Sequence, residues 1–488
     1  MKIENDRIPP NRDNLLLVCG ILCLCSYVGL VVLSRGLANR TESIPSLNAA
    51  RAGLVIQGTG VMDRIVRARG VILAAILAVT TAGPLLLLFK FSRPEARATA
   101  RTSRAALCFA VLFGVVCAFA SPMFVFDFWY YIAAGRLAAA GGNVYVDHLR
   151  PSLLAGLPPV QFPGITMPYG PAWSWLSELL SRIAGSNIVL EFLAYKSALC
   201  AAWILTLVLV YRELRESPFH QLNAILIFGW LPLSVVEVNA EGHNDIIMMV
   251  LLTGWLLSRK PASCFLLVAS VLVKYASAPA MLVAALDSVV RRSAKTILAL
   301  AVSGVVGAVV FAYEWNGGAL LAGLQPNRAN MDGFSPVSLI TYAAETLRLP
   351  GSIAAIAILV WRVLLVAFVV VYGRRHLRQP SAKSLCALVT AVMLAALLGS
   401  SYFWPWYLLW VFPSLILSLD PFLMKGILPL VSLMPFISVL RSGSIHLSMR
   451  RATGIMYLIL GTGWIVVFLW KQLPARGENS KLTGNISS

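Results

Sequence analysis

Blocks of apolar residues recur from one end of the 488-residue chain to the other, and this limits the possible folds more than any motif does. Clear examples are 15–34, 71–88, 105–120, 221–238, 296–313, 352–373, 384–400 and 452–470. Most approach or reach the ~20 residues that a helix needs to cross a bilayer. Hydrophobic residues make up 58% of the chain and charged residues only 12%, and soluble chains do not repeat uncharged blocks of this length. The sequence therefore specifies an all-α polytopic integral membrane protein, with the lipid bilayer as its surroundings.

A net charge of +19 would suit a nucleic-acid binder, but its distribution argues against one. Lysines and arginines cluster between the blocks, in "KFSRPEARATARTSR" (90–104), "RRSAK" (291–295) and "RRHLRQPSAK" (374–383). That is the positive-inside pattern of cytoplasmic loops. No basic stripe interleaved with aromatics occurs, so no nucleic-acid partner is expected. All eight cysteines (19, 23, 25, 108, 117, 200, 264, 386) fall inside apolar blocks without metal or redox spacing, and read as small hydrophobes. Lys2, Arg7 and Arg12 before the first block resemble a signal peptide. That block is ~20 residues long and has no A-x-A site, which favours a retained span.

The layout begins inside and has about 13–14 transmembrane segments: 15–34, 71–88, 105–120, 196–211, 221–238, 244–258, 262–273, 276–290, 296–313, 352–373, 384–400, 404–419, 426–440 and 452–470. Segments 262–273 and 276–290 are short for spans and read as the arms of a broken hairpin meeting near Lys274 and Tyr275. Basic residues are roughly threefold denser on the inner segments than on the outer ones. Lys196 and Arg362 fall at or within spans, and the Arg-rich loop 35–70 lands outside, against the trend. Two outer segments, 121–195 and 314–351, are long, and long loops are usually functional or disordered. The first is too aromatic for disorder and predicts interfacial amphipathic helices near 127–140 and 172–184.

The polar residues that interrupt this apolar chain fall on the outer side. Asp127 ends an apolar run in "SPMFVFDFWYYIAAGR" and would share a helical face with Tyr130, Tyr131 and Ala134. The plain alternative is a membrane anchor whose acid complements a helix start. "MPYGPAWSWL" (167–176) reads as a turn followed by a helix, presenting Tyr169 and Trp173. "NAEGHNDIIMM" (239–249) places Glu241, His243, Asn244 and Asp245 at a span boundary, where ionisable groups are costly unless paired or used. A solvated turn is its alternative. Lys274 in "VLVKYASAP" needs an anion, either a carboxylate such as Asp245 or a phosphate, unless it snorkels. "SYFWPWYLLW" (401–410) supplies Trp404, Trp406 and Tyr407, which alone would read as an aromatic belt. "PNRANMDGFSP" (326–336) adds Arg328 and Asp332.

In order, the chain carries D-x-x-x-Y-x-x-x-G-R at Asp127, Tyr131, Gly135 and Arg136, then Gly141–Gly142–Asn143–Val144–Tyr145. Pro168–Tyr169–Gly170–Pro171, Gly242–His243–Asn244–Asp245, Lys274–Tyr275 and Trp406–Tyr407 with Trp410 and Pro413 follow. This order resembles the GT-C fold glycosyltransferases that use polyprenyl-phosphate sugars, especially the bacterial polyprenyl-phosphate-mannose-dependent α-mannosyltransferases. The resemblance spans roughly 105–440. It departs where the acidic loop follows the third span instead of the first, and where Val144 stands in place of a proline.

The resemblance implies a GT-C-like core at 105–440, flanked by N-terminal spans (1–104) and by a C-terminal span and tail (441–488). It implies inverting transfer on the outer face of a bacterial cytoplasmic membrane, from a polyprenyl-phosphate sugar to a glycolipid or glycan. Asp127 would be the base. His243, Asn244, Asp245, Lys274, Tyr275 and Arg136 would hold the donor phosphate and sugar. Tyr131, Tyr169, Trp173, Arg328, Asp332, Trp404, Trp406 and Tyr407 would line the groove. No D-x-D pair occurs, so the sequence calls for no metal or other cofactor. The competing readings are a transporter or lipid flippase, and a transferase for another lipid-linked sugar such as arabinose or glucose. A second copy of the 262–290 hairpin would favour transport, and none is found.

Overall fold

The structure is a computed structural model that describes residues 11–38, 60–91, 98–124, 127–158, 160, 166–258, 260–319 and 335–439. The described residues form helices and connecting turns, without strands. Seven helices are long and apolar enough to cross a membrane, and a bent pair makes an eighth. Five shorter apolar helices complete the set, so every expected segment before 440 has a helical counterpart. Segment 452–470 lies outside the described residues.

The first helices are α1 (Asn11–Ala38), α2 (Gly60–Phe91) and α3 (Ala100–Ala118). The second starts earlier than its apolar block at 71 suggests, because Gly60 opens a helix that continues into that block. These helices join the main core. The Tyr27 hydroxyl donates to the Trp230 carbonyl at 2.9 Å, and the Trp230 indole donates to the Ala106 carbonyl at 2.9 Å. Such bonds matter here because lipid tails are as apolar as leucine, leaving close packing and interhelical hydrogen bonds to hold helices together.

The outer loop contributes α4 (Asp127–Ala139) and α5 (Pro171–Ala184). Their limits agree with the expectation, but α4 is no interfacial amphipath. Residues Phe128 to Gly135 are buried, because α6 (Ile188–Glu213) packs Phe192 and Tyr195 against Phe128. In α5 the pattern is amphipathic, with Trp173, Ser174, Ser177 and Ser181 inside and Leu179 and Ile183 exposed.

α7 is the bent pair Pro218–Trp230 and Pro232–Ala240, with a 50° bend between its halves. Pro232 cannot continue the helical ladder, and wide i→i+5 turns bring the chain from Val235 to Glu241, whose amide donates to the Val236 carbonyl at 2.8 Å. α8 (Asp245–Ser258) then returns across the bundle.

α9 (Cys264–Val273) and α10 (Ala278–Val290) are the two arms of the expected break. Lys274 between them is extended (φ −151°, ψ 123°), and Ser270 donates to Ser277 across the arms at 2.6 Å. α11 (Ala294–Tyr313) then packs beside α9, setting Phe311 6.1 Å from Tyr275. The hairpin tip therefore lies at the same end of the bundle as Asp245, where the loop before α5 meets it. Gly170 N–H donates to the Val273 carbonyl at 3.0 Å, and a Cβ at Gly170 would overlap the Leu272 carbonyl oxygen. Gly170→Ala should unseat the loop from the tip and cost about 1–3 kcal/mol. Thermal unfolding in detergent checks this, and an unchanged midpoint would refute the contact.

Beyond the hairpin come α12 (Pro336–Thr346), α13 (Gly351–Arg378), α14 (Ala382–Gly399), α15 (Phe412–Ser418) and α16 (Pro421–Val439). At the end of the bundle opposite the hairpin tip His376 lies between Ser384 (2.9 Å) and Asp287 (3.0 Å), and Arg375 pairs with Asp420 (2.6 Å). These bonds tie α10, α13, α14 and the turn before α16 together at one level.

Candidate active site

Four carboxylates gather where α4, α7 and α8 meet at one end of the bundle: Asp127, Glu237, Glu241 and Asp245. Three are fully buried. Asp245 is 0% exposed and takes the Lys274 ammonium at 2.7 Å, while the Trp410 indole donates to the same oxygen. The Glu241 carboxylate accepts the Met123 N–H (3.0 and 3.1 Å) and the Phe124 N–H (2.9 Å). This clasp fixes the chain just before α4 and thereby the start of the helix that begins with Asp127. Glu237 lies 3.2 Å from His243 Nε2. Asp127 differs, being only partly buried at the mouth of the cluster. Its charge is felt at Tyr130, Tyr131, Tyr169 and His243.

The turn 241–244 that carries His243 and Asn244 is held from below. Lys196, buried in α6, donates to the Asn239 carbonyl (2.8 Å) and to that of Ala240, and its ammonium lies over the Phe128 ring at 4.9 Å. Gly242 (φ +81°) turns the chain where a Cβ would strike Phe128. His243 stacks on Trp406 at 4.2 Å, and Trp406 stacks on Trp404 at 5.0 Å. Burial alone would lower the His243 pKa, but Glu237, Asp245 and Asp127 outweigh it and raise the value. Beside this stack, Lys274 Nζ sits 5.2 Å from the Tyr169 and Tyr407 ring centres and 5.3 Å from that of Trp410.

Tyr131 and Tyr169 close the remaining side, with hydroxyls 3.3 Å apart, and Tyr131 donates to Asn244 Oδ1 at 3.4 Å. Burial pushes the Tyr169 phenol well above its usual range, and the Tyr131 and Asp127 charges add to this. Both phenols therefore stay protonated as donors. Several buried atoms here have no hydrogen-bond partner: His243 Nδ1, Asn244 Nδ2 and Asp245 Oδ2. Unmet polar atoms on this scale suit a centre that receives a polar ligand.

The structure thus brings together Asp127, Tyr131, Tyr169, His243, Asn244, Asp245, Lys274, Trp404, Trp406 and Tyr407. Trp173 packs behind Tyr131 at 5.1 Å and is fully buried, so it supports the wall without facing the centre. Tyr275 leans toward Phe311 on the far side of the hairpin tip. Arg136 requires a correction. Its guanidinium is bound to Glu191 (2.6 to 3.0 Å) and to the carbonyls of Leu153 and Ala155, which fixes it as a brace between α4 and α6. Arg328 and Asp332 lie outside the described residues. Glu237 and the Glu241 clasp were not singled out from sequence, where Trp410 stood only as part of the Trp406–Tyr407 motif; an acid inside the apolar run "SVVEV" was the available signal for Glu237.

Residues 27–290 match the family described as alpha-(1->6)-mannopyranosyltransferase, N-terminal domain. The chain belongs to that family. It is therefore a membrane-bound glycosyltransferase that handles mannose, and the matched stretch holds Asp127, His243, Asn244, Asp245 and Lys274. No curated protein and no solved structure matches the chain. The match begins in α1 and ends with α10. Among the described residues no group of three or more His, Cys, Asp or Glu is placed to hold a metal ion.

Proposed function

We propose that this mannosyltransferase moves a mannosyl group from a polyprenyl-phosphate donor to an acceptor hydroxyl on a glycolipid or glycan. Transfer would occur at the outer face of the bacterial cytoplasmic membrane, with inversion. The observation that carries this reading is the contrast among the four carboxylates. Asp127 is partly exposed at the mouth, whereas Glu237, Glu241 and Asp245 are each at most 1% exposed.

Asp127 takes the acceptor proton as the acceptor oxygen bonds to the anomeric carbon. The carbon–oxygen bond to the phosphate breaks, and the polyprenyl phosphate leaves with the electron pair. A lipid phosphate is already a good leaving group, so one base and cations aimed at the departing charge suffice. Lys274 and His243 supply those cations, and Asn244 and Asp245 take sugar hydroxyls. Trp404 and Trp406 offer stacking faces, and Tyr131, Tyr169 and Tyr407 close the groove. A single reacting carboxylate implies inversion, because a second one acting as nucleophile would give retention. No step invokes a metal.

The test offers purified protein in nanodiscs either polyprenyl-phosphate-mannose or a nucleotide-linked mannose, with a mannosylated glycolipid acceptor. An α-(1→6) product from the lipid-linked donor alone is the expected result. Product from the nucleotide sugar alone would overturn the donor assignment.

A further inference from the structure

α13 is largely lipid-facing: from Gly351 to Val371 only Leu365 is buried, yet the helix carries an exposed arginine, Arg362, in its midst. A charge on a lipid-facing helix is costly unless it finds a counter-ion or reaches water. Among the described residues Arg362 has no carboxylate. Its one hydrogen bond runs from Nε to the Gly399 carbonyl at 3.3 Å, at the outer end of α14. The neighbouring Trp361 indole takes the Leu398 carbonyl at 2.8 Å, so both residues cap α14 and the two terminal NH2 groups of Arg362 are left over.

The depth of this guanidinium is informative. From buried His376, in the inner polar cluster, Arg362 stands about 21 Å up the helix at 1.5 Å per residue. The hydrocarbon layer is about 30 Å thick, which leaves Arg362 roughly 9 Å beneath its outer edge. A lone arginine at this level would extend outward to the headgroups, but the Gly399 contact holds it in place. Asp245, counted from Ser258 at the inner end of α8, stands about 20 Å up by the same rise. Arg362 on the flank and the Lys274–Asp245 pair within therefore share one level. Between them runs the loop after α14, with Ser401 exposed, Tyr402 40% exposed and Trp404 stacked toward His243.

We propose that Arg362 is where the phosphate of the lipid-linked donor first docks, sideways from the outer leaflet, before its sugar passes along the 400–404 loop to the centre. A planar guanidinium with two free edges suits a phosphate monoanion or diester, which can take paired hydrogen bonds. This inference rests on the lipid-phosphate donor proposed above.

The test compares wild type, Arg362→Gln and Arg362→Lys in zwitterionic nanodiscs. It measures kcat and KM for polyprenyl-phosphate-mannose. Native mass spectrometry separately measures retention of sugar-free polyprenyl phosphate and of an anionic phospholipid. Arg362→Gln should raise KM roughly tenfold, the loss of about one charge-assisted bond, while kcat at saturating donor falls less than threefold. The lysine variant should recover part of the affinity. Polyprenyl phosphate should be retained by wild type and lost from Arg362→Gln. Unchanged KM and retention would overturn the proposal, as would loss of the anionic phospholipid alone, which would make this a bilayer-lipid site. If the wild type uses no lipid-linked donor at all, the functional reading falls, while retention of polyprenyl phosphate still reports on Arg362.

Discussion

Asp127→Asn should lower mannosyl transfer by ~100-fold or more while donor affinity stays within a few fold. The substitution keeps the size of the side chain but removes its charge and with it the ability to accept the acceptor proton. Replacement by a neighbour is blocked physically. Asp245 is spent on Lys274 and Trp410, and Glu241 on two backbone amides. Glu237 lies behind His243. The measurement is single-turnover transfer from labelled polyprenyl-phosphate-mannose, with donor binding followed in parallel. Near wild-type turnover would leave Asp127 as the acid in the first turn of a buried helix and move the base elsewhere.

Lys274→Met should cost both stability and transfer. It leaves the Asp245 carboxylate, 0% exposed, with the Trp410 indole as its one remaining hydrogen-bond donor. Removing one partner of a buried pair typically destabilises by about 3–5 kcal/mol. The same change removes a cation from the proposed leaving-phosphate position and empties the box formed by Tyr169, Tyr407 and Trp410. The double variant Lys274→Met with Asp245→Asn separates the two effects. With both charges gone, most of the thermal stability should return, whereas transfer should stay depressed. If the double variant recovers transfer as well, Lys274 serves the fold and not the phosphate. If the single variant keeps wild-type stability, the ion pair is not the structural bond described.

Much of this was legible in the sequence because a bilayer leaves few options. Apolar runs gave the helices, while the bias of basic residues is the ground for the proposed orientation. The unusual polar residues were conspicuous because lipid tolerates few. Asp127, His243, Asp245 and Lys274 stood out on that ground alone, and Asp245 was already one of the two anions weighed for Lys274. What stayed hidden depends on partners distant along the chain. Arg136 shares the Asp127 motif, yet Glu191, 55 residues onward, takes its guanidinium. Glu241 reaches back 117 and 118 residues to clasp the turn before Asp127. Helical periodicity cannot register such pairings. The burial of α4 was missed for a related reason. Its aromatic residues suit a membrane surface and a packed interior equally well, and only the position of α6 decides between them.

The measurement that tests the central claim most directly is the sidedness of transfer in sealed vesicles of defined orientation, loaded with polyprenyl-phosphate-mannose. A membrane-impermeant mannoside acceptor is supplied outside. The account predicts product in right-side-out vesicles and little in inverted ones, with the right-side-out signal abolished by Asp127→Asn. Transfer confined to inverted vesicles would place the chemistry on the cytoplasmic face and contradict the account.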